Sequence, residues 1–342
     1  MGPTIRCKQC GEQLEVTARF CGACGAPLVD ANIERVVGRR YVLKERIGAG
    51  SLGVVYRAEQ QGLGRKLAIK LLQADAAADP TAVARFSREG ELLCQLRSAH
   101  TVTTYEFDRD VDGSLYIAME LSSGKSLAEV FKREGPLDFR RVLRILSGLC
   151  DSLAEAHALG VIHRDLKPEN ILLEARPTNA DFVKVLDFGL AKVLPANLAL
   201  SPVGQTVGAI EFMSPEQLQG KPIDARSDLY ALGVLGYLLV TGRHPFADAR
   251  SYGDMIAAHV SRVPPPASTV RPDLAISTDV DMILARCLEK DPARRFPDAP
   301  ALAAVIGVML QVAAPAHAND TIRVPEGEED TAIAPVPTKN DR

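Results

Sequence analysis

The run His163-Arg164-Asp165-Leu166-Lys167-Pro168-Glu169-Asn170, followed 17 residues after Asn170 by Asp187-Phe188-Gly189, constrains this chain more than any other feature. Asp165 and Asp187 bring carboxylates, Asn170 an amide and Lys167 an amine. Oxygen donors suit a hard divalent cation, and an amine can neutralise phosphate oxygens. At these spacings the set suits a site that holds metal on a nucleotide while an incoming hydroxyl is aligned with the terminal phosphate. The chain has 342 residues, enough for two or three cores around such a site.

The formal net charge is -3, with 46% hydrophobic and 24% charged residues, so no bulk attraction to nucleic acid or anionic membrane is expected. The first residues show no long apolar run behind basic ones, so no secretory signal is expected. The most apolar stretch, Ala301 to Ala314, falls short of the roughly 20 residues of a bilayer span. A soluble cytoplasmic protein is therefore the expectation. Cys94, Cys150 and Cys287 sit singly in apolar surroundings and read as small core residues.

Four regions follow one another. Residues 1–28 hold paired cysteines, and 29–40 are expected to be a short polar linker. From Tyr41 short Val, Ile and Leu-rich strands broken by glycine predict a hairpin-rich antiparallel sheet. After about residue 125 the segments lengthen and take a helical period, as in Phe139 to Leu159 and Asp228 to Val240. Residues 313–342, with four prolines and the acids Glu326, Glu328, Glu329 and Asp330, have too little apolar content for a core and are expected to be disordered.

In the sheet region Gly48-Ala49-Gly50-Ser51-Leu52-Gly53-Val54-Val55 can lie close over phosphates and turn N–H groups toward them. Leu67-Ala68-Ile69-Lys70 follows as a strand carrying one lysine in an apolar run. Phe86, Leu93 and Leu96 define the inner face of a helix over residues 82–97. Glu89 falls on that face and Glu91 off it, so Glu89 is the expected carboxylate partner of Lys70. Leu115 to Glu120 reads as a strand ending in the turn Ser122-Ser123-Gly124.

Taken in order, these motifs resemble the eukaryotic-type, or Hanks-type, bacterial serine/threonine protein kinases over about Tyr41 to Val312. The resemblance implies an α+β, bilobal protein-kinase-like fold. A small antiparallel β-sheet lobe with helix C (41–121) would precede a larger α-helical lobe (125–312). It implies that Asp165 orients the substrate hydroxyl, that Lys167 and Lys70 meet phosphate charge, and that Glu89 holds Lys70. Asn170 and Asp187 would be the Mg²⁺ (or Mn²⁺) ligands. Around ATP it places Ile47, Gly48, Gly50, Gly53, Val55 and Ala68, with Met119 as gatekeeper and the backbone of Glu120 and Ser122 at the adenine. Lysine two residues after Asp165 is the serine/threonine form of the loop. Met213-Ser214-Pro215-Glu216 is similar to the family's A-P-E, with Glu216 paired to Arg295, and Asp228 is similar to the aspartate that braces the catalytic loop. Ala209 departs from the pattern, since a threonine is usual there.

Cys7-Lys8-Gln9-Cys10-Gly11 and Cys21-Gly22-Ala23-Cys24-Gly25 are two C-x-x-C-G knuckles ten residues apart. Four thiolates make a closed tetrahedral set, which points to structural Zn²⁺ in a small ribbon ahead of the alternatives, a redox pair or unmetallated thiols. Arg6, Lys8 and Arg19 are offset by Glu12 and Glu15, so nucleic acid is not the expected partner.

The reading is an ATP- and Mg²⁺-dependent serine/threonine kinase acting on protein hydroxyls, its own included. Its rivals are a nucleotide-binding pseudokinase scaffold working through the ribbon and a small-molecule kinase on the same fold. Thr206 and then Ser201 are the candidate phosphorylation sites opposite Arg164. Thr321 and Thr331, each preceded by an acid, are candidate autophosphorylation sites for phosphothreonine-reading domains.

Overall fold

The computed structural model describes residues 4–6, 10–15, 21–24, 30–50, 53–72, 90–188 and 210–312. Cys7, Glu89, Gly189, Ser201, Thr206, Ala209, Thr321 and Thr331 lie outside the described residues.

Near the N-terminus β1 (Thr4–Arg6) pairs antiparallel with β2 (Gln13–Glu15). The next sheet has six antiparallel strands in the order β3-β4-β5-β6-β8-β7. They are β3 (Val36–Val37), β4 (Tyr41–Gly50), β5 (Gly53–Gln60), β6 (Arg65–Leu72), β7 (Thr104–Arg109) and β8 (Leu115–Met119). Period-two alternation divides this sheet between two cores. Tyr56, Ala58, Leu67, Ile69, Tyr116 and Ala118 pack on one face with Tyr41 and Leu43. Ala68, Leu115, Ile117 and Met119 turn the other way and join the core of the helical region. That second face is the one that can look into a cleft.

Residues 30–40, expected as a linker, are built into the sheet. Val36 and Val37 pair with Val42 and Tyr41, the Tyr56 hydroxyl donates to Asp30 at 2.8 Å, and Arg35 forms an ion pair with the buried Asp110 at 2.6 Å. The segment is polar because it binds through side chains, so composition alone conceals its place.

The helical region holds α1 (Leu127–Glu134), α2 (Phe139–Ala158), α3 (Arg226–Thr241), α4 (Tyr252–Ser261), α5 (Thr278–Cys287) and α6 (Ala299–Val312). Between α2 and α3 lie β10 (Ile171–Arg176) and β11 (Asn179–Val185), which form a three-stranded sheet with β9 (Lys125–Ser126). Asp138 caps α2 by accepting from Arg140 N and Arg141 N, and Ser126 starts α1 with a capping box. Helix α3 is buried along nearly its whole length. Gly233 and Gly236 allow that depth, since a Cβ there would sit 2.6 Å from Cys287 Cβ and 2.8 Å from Leu284 Cδ2 of α5. Of the helix expected over 82–97, residues 90–93 are helical among those described and 94–95 form a turn.

Candidate active site

The roof of the site is the glycine hairpin of β4 and β5. Gly48 stands opposite Val55 and Gly50 opposite Gly53. At Gly53 a Cβ would lie 2.0 Å from Leu71 O of β6, so only glycine lets the strands approach here. Lys70 is registered against Val55 on one side and Ile117 on the other, while Ala68 is opposite Met119. Directly paired residues share a face. Val55, Ala68, Lys70, Ile117 and Met119 therefore line one surface, with Ile47 exposed at its edge.

Lys70 is 4% exposed, and a buried ammonium requires a carboxylate. Among the described residues that partner is Asp187, whose Oδ2 accepts from Nζ at 2.7 Å. Glu91 is exposed, while Leu93 and Leu96 are buried.

The floor is the loop from His163 to Asn170. Lys167 Nζ donates to Asp165 Oδ2 at 2.8 Å and Oδ1 at 3.0 Å. Asn170 Nδ2 donates to Asp165 O at 2.7 Å and to its Oδ2 at 3.1 Å. Asn170 O accepts from Leu186 N at 2.9 Å, tying the loop to the residue before Asp187. His163 makes a second tie: Nε2–H donates to Leu186 O at 2.8 Å, and Nδ1 accepts from Asp165 N at 3.3 Å. These two bonds fix its tautomer. Its ring packs on Phe188 at a centroid distance of 4.7 Å. Arg164 and Asp187, at φ 69° and 60°, hold left-handed backbone without being glycine. Such strain costs on the order of 1–3 kcal/mol and persists where surrounding bonds over-determine it.

For Arg164 those bonds come from Asp228 of α3, which is 1% exposed. Its carboxylate accepts from His163 N at 2.8 Å, Arg164 N at 2.9 Å and His157 Nε2 at 2.7 Å. Burial pushes its pKa up, but His157 and the loop N–H groups outweigh burial and hold it below the ordinary value. Asp228 thus anchors the loop from beneath, as the sequence leads one to expect. Gln217 of the short helix Pro215–Leu218 adds a bond from Nε2 to Arg164 O at 2.9 Å. Glu216 and Arg295 form the expected pair, at 2.7 and 2.8 Å, and Ser227 donates to Glu216 at 2.6 Å.

At the back of the cleft Met119 is buried, and Glu120 N donates to Thr103 O at 2.9 Å. The Glu120 carboxylate accepts from Lys184 Nζ at 2.8 Å and from Thr103 N at 3.2 Å. Ser122 Oγ donates to Glu174 at 2.7 Å and accepts from Gly124 N at 3.1 Å, which shapes the turn. Lys184 is absent from the sequence reading. Its signal is the one that exposes Lys70, a single lysine in an apolar run, Phe182-Val183-Lys184-Val185-Leu186. His157 is also missed, though it continues the buried α2 face four residues after Leu153.

In the ribbon segment the Sγ atoms of Cys10, Cys21 and Cys24 all lie within 4.8 Å of one another. Cys10 and Cys21 approach to 3.5 Å. Four sulfurs at about 2.3 Å from Zn²⁺ in a tetrahedron would stand roughly 3.8 Å apart, so these three fit such an ion.

A fold of this kind, with two lysines, two aspartates and an asparagine gathered beneath a glycine hairpin, defines a class. Residues 41–304 match the family described as protein kinase domain, and the chain belongs to it. Residues 6–28 match a zinc-ribbon domain. The chain is 38% identical over 318 residues to serine/threonine-protein kinase pkn3 of Myxococcus xanthus, covering 92% of this chain and 57% of the relative. It is 39% identical over 301 residues to Pkn1 of the same organism, covering 87% and 42%. The crystal structure of the Mycobacterium tuberculosis PknI kinase domain is similar with a TM-score of 0.63 at 26% identity, over 82% of this chain and 99% of that one. The chain spans about half the length of the curated relatives it matches. Among the described residues no helix is long and apolar enough to cross a membrane.

Proposed function

We propose that this chain is a serine/threonine protein kinase that transfers the terminal phosphoryl group of ATP to protein hydroxyls, its own among them. The observation that carries the reading is the assembly of Lys70, Asp165, Lys167, Asn170 and Asp187 beneath the glycine hairpin. Asp165 accepts and orients the substrate hydroxyl, and Lys167, already 2.8 Å from it, stands ready for phosphate charge. Asn170 and Asp187 supply hard oxygen donors suited to Mg²⁺ or Mn²⁺, which when bound neutralises charge on the phosphates. Lys70 exchanges Asp187 for phosphate oxygens, with Glu89 as its other carboxylate. The cleft face made by Val55, Ala68 and Met119 suits an adenine ring. Because Glu120 N is spent on Thr103 O, contact with the base falls to the Glu120 carbonyl and the Ser122 N–H. Incubation of the purified chain with Mg-ATP, followed by mass spectrometry, should reveal added phosphate. Lys70→Met and Asp165→Asn should reduce it at least a hundredfold while circular dichroism stays unchanged. Equal phosphorylation in either variant would remove the assignment. The same spectra locate the phosphate among Thr206, Ser201, Thr321 and Thr331.

The ribbon is proposed to hold one structural Zn²⁺ through Cys7, Cys10, Cys21 and Cys24, on the clustering of the three described sulfurs. One zinc per chain should copurify, and Cys21→Ser should release it while ATP binding persists. Metal-free protein under reducing conditions would refute the site.

A further inference from the structure

An apolar cavity of about 610 Å³ opens between Phe139 of α2, Met282 and Ile283 of α5, and Val305, Val308 and Met309 of α6. No residue of the phosphoryl-transfer assembly lines it. Met282 is 62% and Val308 60% exposed, so the cavity runs out onto an apolar patch that nothing among the described residues covers. Its rim is charged in order along α5. Asp279 stands in the first turn and Arg286 in the last, seven residues and about 10 Å apart along a helix. The Arg286 guanidinium lies over the Phe296 ring at 4.3 Å, which holds it at the rim.

Helix α6 forms one wall, and the chain leaves it at Val312, three residues beyond Met309. We propose that residues 322–326 of this same chain, which lie outside the described residues, occupy the cavity. Ile322 and Val324 fill it, Arg323 meets Asp279, and Glu326 meets Arg286. Residues 313–321 can span up to about 30 Å. The 14-residue α6 is roughly 21 Å long. The segment can therefore turn back over any part of that helix. An extended chain sets residues two apart on one side, which brings Ile322 and Val324 together. Pro325 holds Val324 in the extended region. Arg323 and Glu326 are then about 10 Å apart, matching the Asp279 to Arg286 interval in spacing and opposite in sign. Their charges belong at the rim, which long side chains reach from either side of the backbone.

The test uses the intact chain, which contains no tryptophan. Ile322→Trp introduces a single indole at the seat, and Thr338→Trp in a separate variant, outside the proposed segment, serves as the reference. The seated indole should emit at shorter wavelength and be quenched several-fold more slowly by acrylamide than the reference. Adding Val308→Asp, a change at an exposed wall position, should return both values to the reference. Hydrogen exchange in residues 299–312 should accelerate in Ile322→Asp/Val324→Asp, a pair of changes that leaves the helices themselves untouched. The proposal fails if Ile322→Trp emits like Thr338→Trp, or if Val308→Asp changes nothing. It also fails if the shift vanishes on dilution, which would assign the seat to a second copy.

Discussion

A guanidinium withdrawn from water needs an acceptor for each of its five N–H groups. Arg295, 2% exposed, finds all five. Nε donates to Glu289 O at 2.8 Å. Nη1 donates to Glu216 Oε1 at 2.7 Å and Arg226 O at 3.0 Å, and Nη2 to Glu216 Oε2 at 2.8 Å and Lys290 O at 3.2 Å. Burial works to raise the Glu216 pKa, yet Arg295 and Ser227 hold it below the ordinary carboxylate value. Removing one partner alone strands the other charge. Arg295→Met should therefore cost about 3–5 kcal/mol of stability, read by urea unfolding. Arg295→Met combined with Glu216→Gln should cost less than Arg295→Met alone, and an equal or larger loss would show that the ion pair is not the cause. The partners are 79 residues apart, and no local pattern relates them, so the sequence reveals this pair only through resemblance.

At the scale of elements, the glycine hairpin is legible because its constraint is local. Gly53 must be glycine since β6 passes 2.0 Å from where its Cβ would stand. Gly53→Val should push β5 off β6 and lift the roof from the phosphates. The expected result is at least a tenfold rise in KM for ATP, with kcat changed less. A KM within twofold of the parent would mean that the roof does not hold the phosphates. The long helices are legible for the same reason: Phe139–Ala158 and Arg226–Thr241 each fall within two residues of the expected bounds. What escapes the sequence is contact between elements. Lys184 reaches Glu120 from β11 across to the end of β8, and Gln217 reaches Arg164 O across 53 residues. Residues 30–40 look like a linker because their polar side chains serve Asp110 and Tyr56, partners that only the folded sheet brings near.

For the molecule as a whole, acid is the condition that separates these buried groups. His259 of α4 is fully buried among aromatic rings, with Tyr230 OH on Nδ1 at 2.9 Å, His244 at 5.5 Å and Phe246 at 5.0 Å. Lys290, itself lowered to about 8 by burial and by Arg295, packs over the same Phe246 ring. Burial first, then the positive charge of His244 and Lys290, lowers the His259 pKa to about 3 from an ordinary 6.5. Between those values the unfolded chain binds a proton that the folded chain refuses. Stability from this group is therefore complete above pH 6.5 and falls as pH drops toward 3. Asp228 and Glu216 are lowered carboxylates, and what they contribute is lost at more acid pH, as each takes up its proton. One histidine contributes a slope of about 1.4 kcal/mol per pH unit well inside its window. His244, also lowered by burial, adds to the slope in the same direction. His259→Gln keeps an acceptor for Tyr230 but has no proton to gain. Urea midpoints measured from pH 7 to pH 5 should decline less steeply for His259→Gln than for the parent, by about one proton's worth of slope. Parallel curves would mean that His259 takes up its proton in the folded state as readily as in the unfolded one.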